Sequence, residues 1–341
     1  MRLCDVADSA VYIKHPNNKS GDGQPGQIAS CRIAEKEIVK ACRSILFCRL
    51  YFYGVDNVGK ICFCHQLIST IRMVEIFDNI RKIYLFSQPC EELAGYIEFF
   101  SESSDEATRD FTGNACFNVK MFPSWTPTFW ISLGAPYYLT LGNKCHYISQ
   151  GRDILVTRDS IAERHNQPLD HLFTIKFYPG GLETVLGIDQ SSLAGKLVHL
   201  QDVLPASFIF RVKRAKSFAE RQKLLENFFL SQMRTSKPRA HYMELVSKTI
   251  ATYTTGNLQY NVDEISARVF TTSKTINRYF NKVIGTTPKN YFSIIRSRTA
   301  LTAYVADRKG FDPSAFGYHD MSHFYKEVIK FTGERMAALN R

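Results

Sequence analysis

The sequence predicts an α+β protein, with an antiparallel β-rich, small barrel-like N-terminal half and an all-α C-terminal part made of two repeated helical units. Three observations predict it. Across residues 74–187, short β-branched and aromatic runs alternate with Gly and Pro turns. From Ser217 onward the apolar residues change to helical spacing. Near the end of the chain, two stretches set 48 residues apart match position for position.

Residues 1–72 hold six of the nine cysteines. Residues 16–26 are rich in Gly, Pro and Asn and read as loop, and residues 30–51 allow a helix carrying Ile33, Ile38, Cys42 and Ile45. Cys62-Phe-Cys64-His65 lacks a second pair at zinc-ligand spacing, so no metal or other cofactor is expected. Residues 89–100 read as an amphipathic helix ahead of the sheet. The strands are then Phe129-Trp-Ile-Ser-Leu, Tyr137-Tyr-Leu-Thr-Leu, Asp153-Ile-Leu-Val-Thr and Leu172-Phe-Thr-Ile-Lys-Phe-Tyr. Gly134-Ala-Pro136, Gly142-Asn and Pro179-Gly-Gly181 punctuate them, the last fitting a hairpin exit. His146, His165 and His171 are scattered, and no Gly-x-Ser-x-Gly or phosphate loop is present, so no catalytic residue is assigned. Lys213, Arg214 and Lys216 read as a solvated face before a helix over residues 217–233. Residues 234–240 form a linker broken at Pro238, and a new helix starts at His241.

The first repeat runs Thr272-Ser-Lys-Thr-Ile276-Asn-Arg278-Tyr-Phe280-Asn-Lys282, with Gly285 and Pro288 after it. The second runs Asp320-Met-Ser-His-Phe324-Tyr-Lys326-Glu-Val328-Ile-Lys330, with Gly333 after it. Thr272 and Asp320 suit the N-cap, where a side-chain oxygen accepts from free N–H groups of the first turn. Ile276, Phe280, Val283 and Ile284, or Phe324, Val328 and Phe331, form one apolar stripe. Gly285 and Gly333 stop the helices in the left-handed conformation. Ahead of the first repeat, Asn261-Val-Asp-Glu264 is a capping box opening a shorter helix. Helix, tight turn and second helix make a helix-turn-helix, whose second helix enters the major groove of DNA. The alternative is an ordinary helical bundle with a solvated basic face.

The residues 272–280, Gly285-Thr-Thr-Pro288-Lys-Asn-Tyr291 with Arg296, and Gly317-Tyr-His-Asp320-Met-Ser-His-Phe324 make the chain resemble the AraC/XylS family of bacterial transcription regulators. The resemblance covers about the last 100 residues and implies two helix-turn-helix units joined by one long helix, here residues 289–306. It implies recognition helices over residues 272–282 and 320–330, in successive major grooves of a double-stranded promoter operator. Base reading would fall to Lys274, Asn277 and Arg278 in the first and to Met321, Ser322 and Lys326 in the second. Arg278 can fork onto guanine, Asn277 onto adenine, and Met321 can cover a thymine methyl. Thr272, Thr275 and His323 would touch phosphates. Two departures stand out: Met336 replaces a repeated proline, and Pro313 restricts the first helix of the second unit to a short one capped by Asp312. Phe177-Tyr-Pro179-Gly-Gly181-Leu182 is similar to an N-terminal domain found on many such regulators, which implies an unknown small-molecule effector or a homodimer contact. RNA polymerase is the further partner implied.

The expected organisation is therefore an extension over residues 1–72, a β-rich effector or dimerisation domain over 73–233, the linker 234–240 and a DNA-binding domain over 241–341. Family-like sequence begins just after Met73, so Met73 is the expected natural start, with residues 1–72 poorly ordered or non-native. Lys and Arg exceed Asp and Glu by 43 to 32, and residues 241–341 carry +6 of the net +11. That suits an anionic partner. The most apolar run, residues 45–58, is short and broken by Arg49 and Asp56, so no membrane span is expected. The odd cysteine count without a disulfide spacing points to a reducing, cytoplasmic setting. The rival expectation is a small-molecule-binding protein or cupin-like enzyme whose helical part only mediates contacts.

Overall fold

In this computed structural model the described residues are 83–113, 115–235 and 241–335, with the backbone of three short strands before them. The chain groups into two compact units, residues 1–65 and 66–341. In the first, Tyr53–Val55 (β1) and Ile61–Phe63 (β2) pair antiparallel. The other expectations for residues 1–72, and the proline break at Pro238, lie outside the described residues.

The second unit opens with two sheets. One has the order β13-β10-β7-β12-β5-β4, all antiparallel: Leu197–His199 (β13), Ile154–Thr157 (β10), Pro127–Ser132 (β7), Leu172–Phe177 (β12), Ile97–Ser103 (β5) and Tyr84–Ser87 (β4). The other has the order β3-β6-β11-β8-β9: Met73–Val74 (β3), Phe117–Met121 (β6), Ala162–Asn166 (β11), Tyr137–Leu141 (β8) and Lys144–Ile148 (β9). Among the described strands, only β3 lies parallel to its neighbour. Strand periodicity sorts the first sheet's side chains between two cores. Trp130, Ile154, Val156 and Leu172 meet Val119, Tyr137, Leu139 and Ile148 of the second sheet. Phe129, Ile131, Leu155, Phe173, Ile175 and Phe177 point the other way, into helices. The sheet is thus covered on both sides, which is why its strands read as continuous apolar runs.

The covering helices are Gly181–Leu186 (α2), Ala206–Arg214 (α3) and Phe218–Thr235 (α4), while Asp105–Thr112 (α1) follows β5. Three expectations change here. Residues 89–100 are not a helix. Only Glu91–Leu93 makes a 3-10 turn, and from Ile97 the chain is strand β5, which gains ladders to both β4 and β12. Two sheet partners outweigh an amphipathic spacing that a lone helix cannot hold. Pro179-Gly-Gly181 is not a hairpin exit but the start of α2. A Cβ on Gly181 would lie 2.1 Å from the Tyr96 carbonyl oxygen, so only glycine lets α2 begin against β5. The first two residues of the expected linker are the last turn of α4.

The basic cluster at Lys213 is also more than a solvated face. Lys213 closes α3 onto the sheet by pairing with Asp153 at 2.9 Å. A second buried pair fixes α4. Arg221 forks onto Glu102 of β5 at 2.6 and 2.8 Å, and His171 adds a third bond at 2.8 Å. Burial alone would raise the Glu102 carboxyl, but these bonds hold it below the ordinary range.

Five helices complete the unit: His241–Thr255 (α5), Val262–Arg268 (α6), Ser273–Val283 (α7), Pro288–Ala306 (α8) and Met321–Thr332 (α9). One core gathers Val246, Tyr253, Ile265, Ile276, Phe280 and Phe292; another gathers Leu301, Tyr304, Tyr318, Phe324, Val328 and Phe331. Helix α8 runs through both, and its 19 residues span about 28 Å.

Candidate nucleic-acid interface

The expected capping box forms: the Asn261 side chain accepts from the Glu264 N–H, and the Glu264 carboxylate accepts from the Asn261 N–H. A three-residue turn leads to Thr272, which caps α7 by accepting from the Thr275 N–H at 3.2 Å. Ile276, Phe280 and Val283 are fully buried, so the stripe sets which face of α7 remains outside. That face holds Thr272, Lys274 and Arg278, all exposed, with Thr275 and Asn277 half-buried beside them. The Arg278 guanidinium lies 4.8 Å from the centre of the Tyr279 ring. Asn277 donates back to the Ser273 carbonyl at 2.8 Å, a bond it must release before it can face a base. Helix α7 carries no carboxylate.

The second unit repeats the plan with a reduced first helix. Pro313–Phe316 is a single 3-10 turn whose cap, Asp312, accepts from the Ser314 N–H at 2.9 Å. This is the short, Asp312-capped form that Pro313 permits. Asp320 caps α9 by accepting from His323 N–H at 2.7 Å. Ser322, His323 and Lys326 are exposed, and the His323 ring stands edge-on to Tyr318. Met321 packs half-buried against the Phe324 core, leaving less of it for a partner. The carboxylate of α9, Glu327, is turned toward α8: Arg296 forks onto it at 2.8 and 3.2 Å, and the Tyr318 hydroxyl donates to it. Both outer faces are therefore cationic, and both helices pack against α8.

The end of α7 is fastened to the β-rich part by a residue that sequence reasoning missed. Gln190 is fully buried, and its amide nitrogen donates to the Trp125 carbonyl at 2.6 Å and to the Ile284 carbonyl at 3.1 Å. Nothing local marks Gln190, because its partners are 65 and 94 residues away. Beside it Gly285 takes φ +95°, and a Cβ there would come within 3.3 Å of the Trp125 ring. The Tyr242 hydroxyl donates to Glu183 at 2.8 Å; burial and that carboxylate push it up to about 12. Arg298 of α8 is exposed, and its charge acts on Glu98. Glu98 pairs with buried Lys176 at 2.8 Å; burial pushes the Lys176 ammonium down to about 8 although Glu98 opposes the shift. An open cleft of about 450 Å³ lies between the second sheet and α9, with Lys120, Thr140, Glu163, Asn290 and Lys330 among its walls.

No family model matches the chain, and no curated protein matches it in sequence. Solved regulators are among the similar structures. ToxT from Vibrio cholerae is 11% identical with a TM-score of 0.39, over 66% of this chain and 97% of that one. ToxT with a bound unsaturated fatty acid gives 11% identity and a TM-score of 0.36, over 66% and 93%. The AraC-like transcriptional activator CuxR gives 11% identity and a TM-score of 0.28, over 66% and 88%. All three scores lie below 0.5, and the functional reading rests on the geometry of this chain. Among the described residues, no helix is long and apolar enough to cross a membrane, and no three His, Cys, Asp or Glu side chains gather as metal ligands do.

Proposed function

We propose that the protein is a sequence-specific, double-stranded-DNA-binding transcription regulator of the AraC/XylS type. The observation that carries this is the pair of capped helices α7 and α9, each preceded by a short turn of helix. Each shows a cationic outer face, and both pack on one continuous α8. A rod of about 28 Å suits two helices set in grooves about one DNA turn, roughly 34 Å, apart. The first unit supplies most of the base reading, through Lys274, Asn277 and Arg278. The second, with Met321 drawn inward and its first helix shortened, adds Ser322 and Lys326 and a larger share of phosphate grip. Thr272, Thr275 and His323 sit at the helix starts, where free N–H groups favour phosphate. The β-rich part, residues 73–233, receives a small-molecule effector or a second copy of the chain, and the cleft beside α9 is the effector's place in this reading. RNA polymerase is the partner that a promoter-bound regulator of this kind would meet.

Gel retardation against genomic fragments tests this. The protein is expected to select sites with two elements about one turn apart, with affinity falling steeply as salt rises, because each phosphate contact releases counterions. Arg278→Ala is expected to weaken specific binding by about 1–3 kcal/mol and to relax one base position. Equal loss on specific and random DNA would refute base reading by Arg278. No retardation at low salt by the folded protein would favour a binding protein or enzyme whose helical part mediates contacts.

A further inference from the structure

Phe270, in the turn between α6 and α7, carries two unfavourable features at once. Its ring is 91% exposed. Its φ is +56°, in the left-handed region where a bulky side chain crowds its own backbone. The second unit shows how a turn of the same length avoids both. There Gly317 takes the left-handed step at φ +71°, and the next residue, Tyr318, folds inward. Tyr318 is 2% exposed, packs on Phe324 and donates to Glu327. Tyr318 is the positional counterpart of Phe270, 48 residues on. In the first unit Val269 stands where Gly317 would be and stays at φ −97°. The left-handed step then falls on Phe270, and the aromatic ring is left in solvent.

Backbone strain held at one residue is a pointer to function, and here it is the strain that turns the ring into solvent. The surroundings indicate the partner. The Lys248 ammonium lies 5.9 Å from the ring centre, and Thr272 and Lys274 follow within one turn of α7. An apolar ring beside a lysine, just ahead of a cationic helix, fits a polyanion that also offers apolar edges. DNA does so, through thymine methyl groups and the faces of deoxyribose. We propose that Phe270 packs its ring on such an apolar edge where α7 enters the major groove. This contact rests on the DNA-binding reading above.

The test uses the full chain and the site it selects. Phe270→Gly is expected to raise Tm by about 2–4 °C, because glycine relieves the left-handed strain, and to lower affinity for the site about tenfold. Phe270→Asn, which also tolerates this backbone, is expected to show the same loss of affinity. Replacing thymines one at a time by uracil separates the two sources of apolar surface. If a thymine methyl is the partner, wild type loses about fourfold at one position, the worth of one buried methyl group, and the variants are indifferent there. If deoxyribose is the partner, every uracil affects wild type and the variants alike, and the variants lose equally on random DNA. Variants that bind both DNAs like wild type would overturn the contact, including the case where they then fail to support transcription by purified polymerase. Absence of any wild-type retardation would instead overturn the DNA reading itself, and this contact with it.

Discussion

Replacing Glu102 with Gln is expected to destabilise the fold by about 3–5 kcal/mol, the cost of leaving one member of a buried pair alone. Glu102 and Arg221 are 7% and 6% exposed, so water cannot take over the guanidinium. The pair joins β5 to α4, and α4 sets Phe229 on Phe129 and Phe177 of the sheet. Urea unfolding should show a lower midpoint at an unchanged slope. The pH dependence has a definite sign. The Glu102 carboxyl is held below its unfolded value, so its contribution is complete above the ordinary carboxylate range and is lost as pH falls through the folded value. Wild type should therefore weaken in acid more steeply than the Gln variant. Parallel acid slopes would show that Glu102 does not carry this term.

Gln190→Leu keeps the volume and removes the amide. The Trp125 carbonyl, part-buried, and the Ile284 carbonyl, buried, then lose this donor, at about 1–3 kcal/mol for each group left unsatisfied. The expected total is about 2–6 kcal/mol. The loss should be concentrated where α7 ends, so hydrogen exchange should rise at Ile284 and Gly285 more than in the strands β7 and β12. Uniform change across the protein would argue against a local fastening. The same variant asks whether the β-rich part influences DNA binding at all. In the proposed reading it should alter affinity through α7 without touching any base-reading side chain.

Much of the helical part was legible because its rules are local. The caps Asn261, Thr272, Asp312 and Asp320 act within three residues, and Ile276, Phe280, Phe324 and Val328 declare their buried face by spacing alone. Strands β7, β8, β10 and β12 were legible for a similar reason, being dense in β-branched and aromatic residues between turns. Residues 89–100 misled because Leu93, Ile97 and Phe100 are spaced as on a helix, while the chain joins a sheet whose partners come from far along the sequence. Helix α3 was overlooked because Phe208, Ile209 and Val212 sit in a short mixed run whose helical state is secured by Lys213 on Asp153. The proposed site residues follow from the family resemblance carried by the repeat. Gln190 and Phe270 do not, since one depends on distant carbonyls and the other on which of two turn residues takes the left-handed step.

The unbroken course of α8 has one further consequence. Pro288 sets its start and Asp307 its end, and between them there is no glycine or second proline at which the rod could swivel. Each residue of helix advances the chain by about 1.5 Å and turns it by about 100°. The residue count of α8 therefore acts as a phase: one residue more or fewer would leave the rod nearly the same length yet swing α9 more than a quarter of the way round it. Substitutions along α8 can be absorbed by repacking, but insertions and deletions cannot. If the two helices read one operator, the register of that operator is set by an integer in the protein.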